Sequence, residues 1–333
     1  MNNNNLPDIE ERFTEPKGWR WHHFQREQGR KIRFGSVFPD SIPDAVIVCL
    51  QGVREFSEKY FEVARWCLDN NFAFWIMDWA GQGKSTRYIP SNPQKRHNGD
   101  FQKDVDDLHY FILEYIKHSS VHPDKGRIPM AMLGHSMGAH IGLRFLHDYP
   151  EFFECAAFSA PMAGLKVFEN TPSKLASCAT SICNTLMGKS YIPHGQDWIN
   201  ELPLADKTLT ADPVRSLIHN QWCKAEESLR CGDVTFGWVH QAHKSCLKLQ
   251  KKTFHGAIKT PCIFGIPAHE HLVDNNISLK IAKNMQNTTV HNYPESYHEV
   301  LMEKDAIRDD FLEQFYSLVN KMIIERPDTL KPF

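Results

Sequence analysis

Gly134-His135-Ser136-Met137-Gly138 sets a serine between two glycines, after the apolar run Ile128 to Leu133 and before a stretch of helical spacing that starts at Met137. So tight a strand-to-helix turn lifts the serine hydroxyl above the sheet, and glycines are needed because larger neighbours would strike the adjoining strand or helix. A hydroxyl is a weak nucleophile near neutral pH, so Ser136 requires a neutral imidazole to take its proton and a carboxylate to fix that imidazole's tautomer. In this arrangement the chain order is serine, acid, histidine. Two segments supply the partners, each just past an expected strand: Ala268-His269-Glu270-His271-Leu272-Val273-Asp274 after Cys262 to Ile266, and Glu295-Ser296-Tyr297-His298-Glu299 after Thr288 to Tyr293. Sites of open parallel sheets are built at such carboxyl ends. His298 is the expected base among 18 histidines, because it alone lies between the last strand and the last helix. Glu270 and Asp274 compete as the acid. Glu270 is favoured because it lies nearer the strand end, while Asp274 is placed to cap the next helix.

Acyl transfer also needs two backbone N–H groups aimed at the developing oxyanion. Met137, directly after the nucleophile, is one candidate; Val53 is the other, in the turn Gln51-Gly52-Val53-Arg54 that follows the apolar run Ala45 to Leu50. Gln51, Gly52 and Trp238 are expected to line the substrate site. His269 and His271 flank Glu270, but no HExxH or paired Cys/His spacing accompanies them, so no metal and no cofactor are expected. Gly83-Lys84-Ser85 has the ending of a phosphate loop. That loop needs a glycine at position 78, where Asp78 stands, so no nucleotide is expected.

The elements that must carry these residues alternate. Segments Trp19 to Gln25 and Ile32 to Phe38 form an expected hairpin; strands at Ala45 to Leu50, Phe72 to Asp78, Ile128 to Gly134 and Ala156 to Ser159 then alternate with helices at Glu58 to Asn70, Gln102 to His118 and Met137 to Tyr149. Short, wholly apolar strands separated by helices predict a parallel sheet covered on both faces. From Ala163 to Ile258 the strand rhythm stops in favour of helical spacings, and it resumes at Cys262. The expected organisation is a core of residues 1–162 and 259–333 interrupted by a helical cap, residues 163–258.

Lys plus Arg total 38 against 40 Asp plus Glu, a net charge of -2, so no global field recruits nucleic acid. The nine cysteines are scattered and never form CxxC, which speaks for neither a disulfide framework nor a zinc site. The N-terminal residues have no apolar signal segment and no apolar run reaches membrane-spanning length, so a cytoplasmic location is expected. Residues 163–260 carry 12 Lys plus Arg against 8 Asp plus Glu, a local +4. Within them Trp238, Ala242, Ser245 and Leu249 make one stripe, and Lys244, Lys248, Lys251 and Lys252 gather on another face. This pattern carries the expectation of a lid resting on an anionic membrane surface, with peripheral contact at the inner membrane face.

The sequence resembles the α/β-hydrolase branch that contains monoacylglycerol lipases and bacterial lysophospholipases, a serine aminopeptidase-type group. The likeness spans residues 20–325. It rests on Gln51-Gly52-Val53-Arg54-Glu55-Phe56-Ser57 with Tyr60, on Asp78 with Gly81-Gln82-Gly83-Lys84-Ser85, on the Ser136 pentapeptide, on Glu270 to Asp274 and on His298-Glu299. Gly99, Val105-Asp106-Asp107-Leu108, Asp212-Pro213 and Thr235-Phe236-Gly237-Trp238 bring it nearest the bacterial lysophospholipases. Gln51 and Glu270 stand where monoacylglycerol lipases usually carry His and Asp. The resemblance implies an eight-stranded, mostly parallel sheet with a helical lid, and hydrolysis of a single-chain lipid ester. Lysophospholipase activity through an acyl-enzyme on Ser136 is the leading expectation. Monoacylglycerol lipase or general carboxylesterase activity is the alternative, and a catalytically silent scaffold the remote one.

Overall fold

Val46, Val48 and Leu50 of one strand enter a different hydrophobic core from its Ala45, Ile47 and Cys49. Successive side chains of a strand point to opposite faces, so this strand, β3 (Ala45–Leu50), is apolar throughout because both faces are covered. The computed structural model describes residues 8–119, 121–122, 126–199 and 209–326. The other strands of the sheet are β1 (Arg20–Gln25), β2 (Lys31–Val37), β4 (Phe72–Met77), β5 (Met130–His135), β6 (Cys155–Ser159), β7 (Cys262–His269) and β8 (Thr288–Tyr297). Their order is β1-β2-β4-β3-β5-β6-β7-β8, antiparallel at β1-β2 and β2-β4 and parallel from β4 onward. This is the α/β-hydrolase fold expected from the sequence.

Helices close the two faces. Val105 and Leu108 of α2 (Phe101–Phe111) and Ile141 of α3 (Met137–Asp148) join Val46 and Val48 in one core. Phe61 and Val63 of α1 (Phe61–Asp69) meet Ile47 and Cys49 in the other, with Phe311 and Phe315 of the closing helix (Asp305–Val319). Between β6 and β7 lie α4 (Ser173–Met187), α5 (Arg215–Ala225) and α6 (Phe236–Leu249). A helix α7 (Asn275–Asn284) follows β7, and the closing helix is α8. Among the described residues no helix is long and apolar enough to cross a membrane.

One expectation is corrected here. Trp238, Ala242, Ser245 and Leu249 of α6 do not face outward; all four are buried against the core. Trp238 meets Phe101 with ring centroids 6.0 Å apart, and Ser245 Oγ accepts from Arg144 Nη1 at 3.0 Å and pairs with His140 Nε2 at 2.6 Å. The stripe is therefore an interior contact. The exposed apolar face lies on α4 instead, at Leu175, Ile182, Leu186 and Met187.

Candidate active site

The turn between β5 and α3 holds Ser136 at φ 50 and ψ -113, a conformation that non-glycine residues seldom adopt. Three backbone bonds pin it: Ser136 N–H donates to Ser159 O at 2.9 Å, and the Ser136 carbonyl accepts from His140 N at 3.0 Å and Met162 N at 3.1 Å. The flanking glycines are sterically required. A Cβ on Gly138 would lie 2.1 Å from Leu50 O, and one on Gly134 would lie 3.0 Å from Ala139 Cα and Phe158 Cδ1.

Hydrogen bonding separates the two candidate acids. Glu270 Oε2 lies 2.7 Å from His298 Nδ1, while Glu270 Oε1 accepts from Leu272 N at 2.6 Å and Val273 N at 3.0 Å. Asp274 Oδ1 instead accepts from Asn276 N and Ile277 N, as the cap of α7. Burial would lower the His298 pKa, but the Glu270 carboxylate foremost, with Glu299 and Glu55, outweighs it and the net shift is upward. Glu270 moves the opposite way: burial would raise it, and His298 with the two backbone N–H groups lowers it. Beside this pair, desolvation holds the His135 imidazole at about 3, hence neutral, with its ring 4.9 Å from that of His298.

Ser136, His298, Gly52, Val53 and Trp238 line one cavity of about 580 Å³. Met137 opens α3, so its N–H lies outside the helical ladder. Gln51 is the exception among the expected substrate contacts. Its side chain is fully buried and donates from Nε2 to Met77 O at 2.8 Å and Asp78 Oδ1 at 3.1 Å, tying the end of β3 to the end of β4 rather than facing the cavity. The cavity lining is of two kinds. Met162, Leu165, Leu272 and Val273 supply apolar surface from the chain after β6 and the loop after β7, while Arg54, His219, Asn220 and Asp233 supply polar groups from the β3 turn, α5 and the chain before α6.

Several residues that sequence reasoning left without a role hold the β3 turn. Gln82 Nε2 donates to Gly52 O and Glu55 O, both at 2.8 Å, and its Oε1 accepts from Arg54 N at 3.0 Å and Arg96 Nε at 2.9 Å. The glycines around it are forced: Gly83 has φ +54, and a Cβ there would lie 2.2 Å from Asp78 Cγ. The loop that imitates a phosphate-binding sequence thus braces the neighbouring turn. Glu55 Oε2 accepts from Gly52 N at 2.5 Å and Tyr60 OH at 2.7 Å. Lys59 Nζ then bridges Glu55 Oε1 at 2.7 Å and Glu299 Oε1 at 2.6 Å. Glu55, His135 and Glu299 form the single cluster spaced for a metal ion among the described residues, and the Lys59 ammonium already supplies the cation between its two carboxylates. The signal for this cluster was weak, since an acid and a lysine four residues apart usually face water and Glu299 lies far along the chain.

Comparison with known proteins places the chain among hydrolases. The family described as serine aminopeptidase, S33, matches residues 41–305. The chain is 26% identical to the probable lysophospholipase L2 of Haemophilus influenzae over 287 residues, covering 85% of this chain and 86% of that protein. It is 28% identical to lysophospholipase L2 of Escherichia coli over 295 residues, 84% and 81% of the two chains. The human monoglyceride lipase is similar over a shorter stretch, 27% identical across 125 residues and 37% of each chain. Among solved structures, a soluble variant of Saccharomyces cerevisiae monoglyceride lipase superposes with a TM-score of 0.71 over 97% of both chains at 16% identity, a likeness of fold.

Proposed function

The chain belongs to the serine aminopeptidase, S33, family, and from that premise we propose that it releases the fatty acid of a lysophospholipid through an acyl-enzyme on Ser136. The coarser activity, carboxylic ester hydrolysis of the lysophospholipase and monoglyceride lipase type, follows from the family and its named relatives. The observation that carries the mechanism is the 2.7 Å bond from Glu270 to His298 on the cavity that Ser136 also lines. Glu270 keeps the proton on Nδ1, which leaves Nε2 as the lone pair that takes the Ser136 proton during attack on the ester carbonyl. The N–H groups of Val53 and Met137 hold the oxyanion. His298 then protonates the departing alcohol, and water hydrolyses the acyl-enzyme by the reverse proton path.

The lysophospholipid choice rests on the two lysophospholipase relatives, which the chain matches over most of its length, against the shorter stretch shared with the human monoglyceride lipase. Fatty-acid release from a lysophosphatidylcholine and a monoacylglycerol of equal chain length, by wild type and Ser136→Ala, tests both parts. Faster release from the lysophospholipid, lost in the variant, is the expected result. Full activity in a folded Ser136→Ala protein removes the mechanism, and preference for the monoacylglycerol moves the substrate to neutral lipid. A wild type whose Ser136 fails to label with a fluorophosphonate would return the silent scaffold.

Such substrates reside in membranes, and α4 offers the contact. Leu175, Ile182 and Leu186 point to solvent along one side of this helix, Met187 continues the patch, and the exposed Lys174 and Lys189 stand at its two ends. An apolar face bounded by lysines is the pattern of a segment resting in an anionic lipid interface.

A further inference from the structure

Among the described residues three cations line the cavity, and two of them have committed their donors. Arg215 gives all five N–H groups of its guanidinium to Glu62, Asp212, Asp305 and the Glu303 carbonyl. Lys59 is locked between Glu55 and Glu299. Arg54 differs. It is anchored through Nη1 alone, to Asp233 Oδ1 at 2.6 Å, and its Nε is buried with no hydrogen-bond partner among the described residues. A buried donor left in this way is costly unless an acceptor arrives.

The position of Arg54 says which acceptor. It follows Val53 directly, at φ 68, with its own N–H held by Gln82 Oε1 at 3.0 Å, so its side chain departs from the turn assigned to the ester oxyanion. Asp233, which holds its far end, also accepts from Gln196 N at 3.0 Å and is thereby fixed. His219 adds no competing cation, since burial, with Lys59 and Arg54 nearby, holds its imidazole at about 3. In a lysophospholipid, a glycerol backbone separates the cleaved ester oxygen from a phosphodiester anion. A guanidinium rooted one residue beyond the oxyanion turn is placed to meet that anion, and its Nη2, with no hydrogen-bond partner among the described residues, is the donor that a phosphate oxygen can reach.

Building on the esterase reading of Ser136, we propose that Arg54 is the subsite for the phosphodiester of the leaving group, with Asp233 holding the guanidinium in place through Nη1. Arg54 thereby sets the preference for a phosphorylated over a neutral glycerol ester.

The test compares kcat/KM for a lysophosphatidylcholine and a monoacylglycerol of the same chain length in wild type, Arg54→Gln and Arg54→Lys. The ratio of the two values should fall about ten- to a hundredfold in Arg54→Gln, the worth of a charge-assisted hydrogen bond, and recover in part in Arg54→Lys. Inhibition of a neutral p-nitrophenyl ester by glycerophosphocholine should weaken in parallel. An unchanged ratio, or an equal fall for both lipids, overturns the proposal, because Arg54 would then only shape the turn. Inorganic phosphate inhibiting as strongly as glycerophosphocholine overturns it too, since the site would be a bare anion hole. A wild type that cleaves the monoacylglycerol but not the lysophospholipid removes the Arg54 role and leaves the esterase standing. A wild type that cleaves neither, with Ser136 inert to fluorophosphonate, removes both.

Discussion

Replacing Glu270 by Gln should disable the protein through the tautomer of His298 rather than through its position. Glu270 Oε1 accepts two backbone N–H groups, from Leu272 and Val273, so the oxygen of a glutamine is drawn to that side. Its amide NH2 must then face His298 Nδ1, which the carboxylate now meets at 2.7 Å. A donor there turns Nδ1 into an acceptor and moves the imidazole proton to Nε2, the nitrogen required to receive the Ser136 proton. Loss of the correct tautomer in a serine-histidine-acid site lowers kcat by about 10⁴-fold, which corresponds to about 5 kcal/mol of transition-state stabilisation. The pH profile should move as well. In the proposed mechanism His298 acts only when unprotonated, so activity should be lost as pH falls through its pKa. Burial lowers that pKa, and Glu270 foremost, with Glu299 and Glu55, more than offsets it. Without the carboxylate, burial prevails and the acid limb shifts to lower pH while the plateau drops. The assay is kcat/KM against pH for a soluble p-nitrophenyl ester, with denaturant midpoints to confirm folding. Asp274→Asn is the companion, since asparagine caps a helix as well as aspartate and should keep activity near wild type. A loss under about tenfold in Glu270→Gln, an acid limb that stays in place, or a larger loss in Asp274→Asn would refute the reasoning.

Lys59→Met leaves the buried Glu55 and Glu299 without their shared counterion, which should cost about 3–5 kcal/mol in urea denaturation. Burial raises Glu55, yet Lys59 foremost holds it near 2 in the native protein, so its stabilising contribution is present above the ordinary carboxylate range and fades as pH falls through that range towards 2. In the variant the sign reverses: a carboxylate pKa pushed up by its neighbour stabilises at low pH and less as pH rises. The deficit should therefore be larger at pH 8 than at pH 5, and a pH-independent deficit would contradict the network. On α4, the double variant Ile182→Asp/Leu186→Asp should lose binding to anionic vesicles while retaining hydrolysis of a soluble ester, as read by co-sedimentation beside a colorimetric assay. Vesicle binding equal to wild type would dismiss α4 as the contact.

The parallel sheet was legible because strands covered on both faces leave an unmistakable apolar record, as β3 does with six buried positions. The serine turn was legible because its glycines answer to sterics within five residues. Glu270 and Asp274 stayed open in the sequence because both lie on one short loop, and only the direction of their hydrogen bonds parts them. Gln51 misled for a related reason: a polar residue in a turn does not declare whether it faces a cavity or a neighbouring strand end. The stripe on α6 was real, but helical periodicity reports that a face is apolar and never what covers it. The partners of Gln82, Glu55 and Lys59 come from distant chain segments, and a single sequence does not encode such meetings as spacing.

The manner in which α4 is attached has a dynamic consequence. Only Ala176 and Thr180 are buried along its fifteen residues, and its polar ties to α6 include Ser177 to His243 at 3.1 Å, Thr180 to His240 at 3.3 Å and the Ser173 backbone to His243. Lifting α4 away forfeits its contacts with α6 rather than the two cores on either face of the sheet, so its opening free energy lies below that of global unfolding. Its amides should exchange with solvent in a separate, earlier unit in native-state hydrogen exchange, while β3 and β5 exchange last. The molecule thus pairs a rigid core, which keeps Ser136, Glu270 and His298 in register, with a shallowly held outer helix whose excursions leave those groups in place.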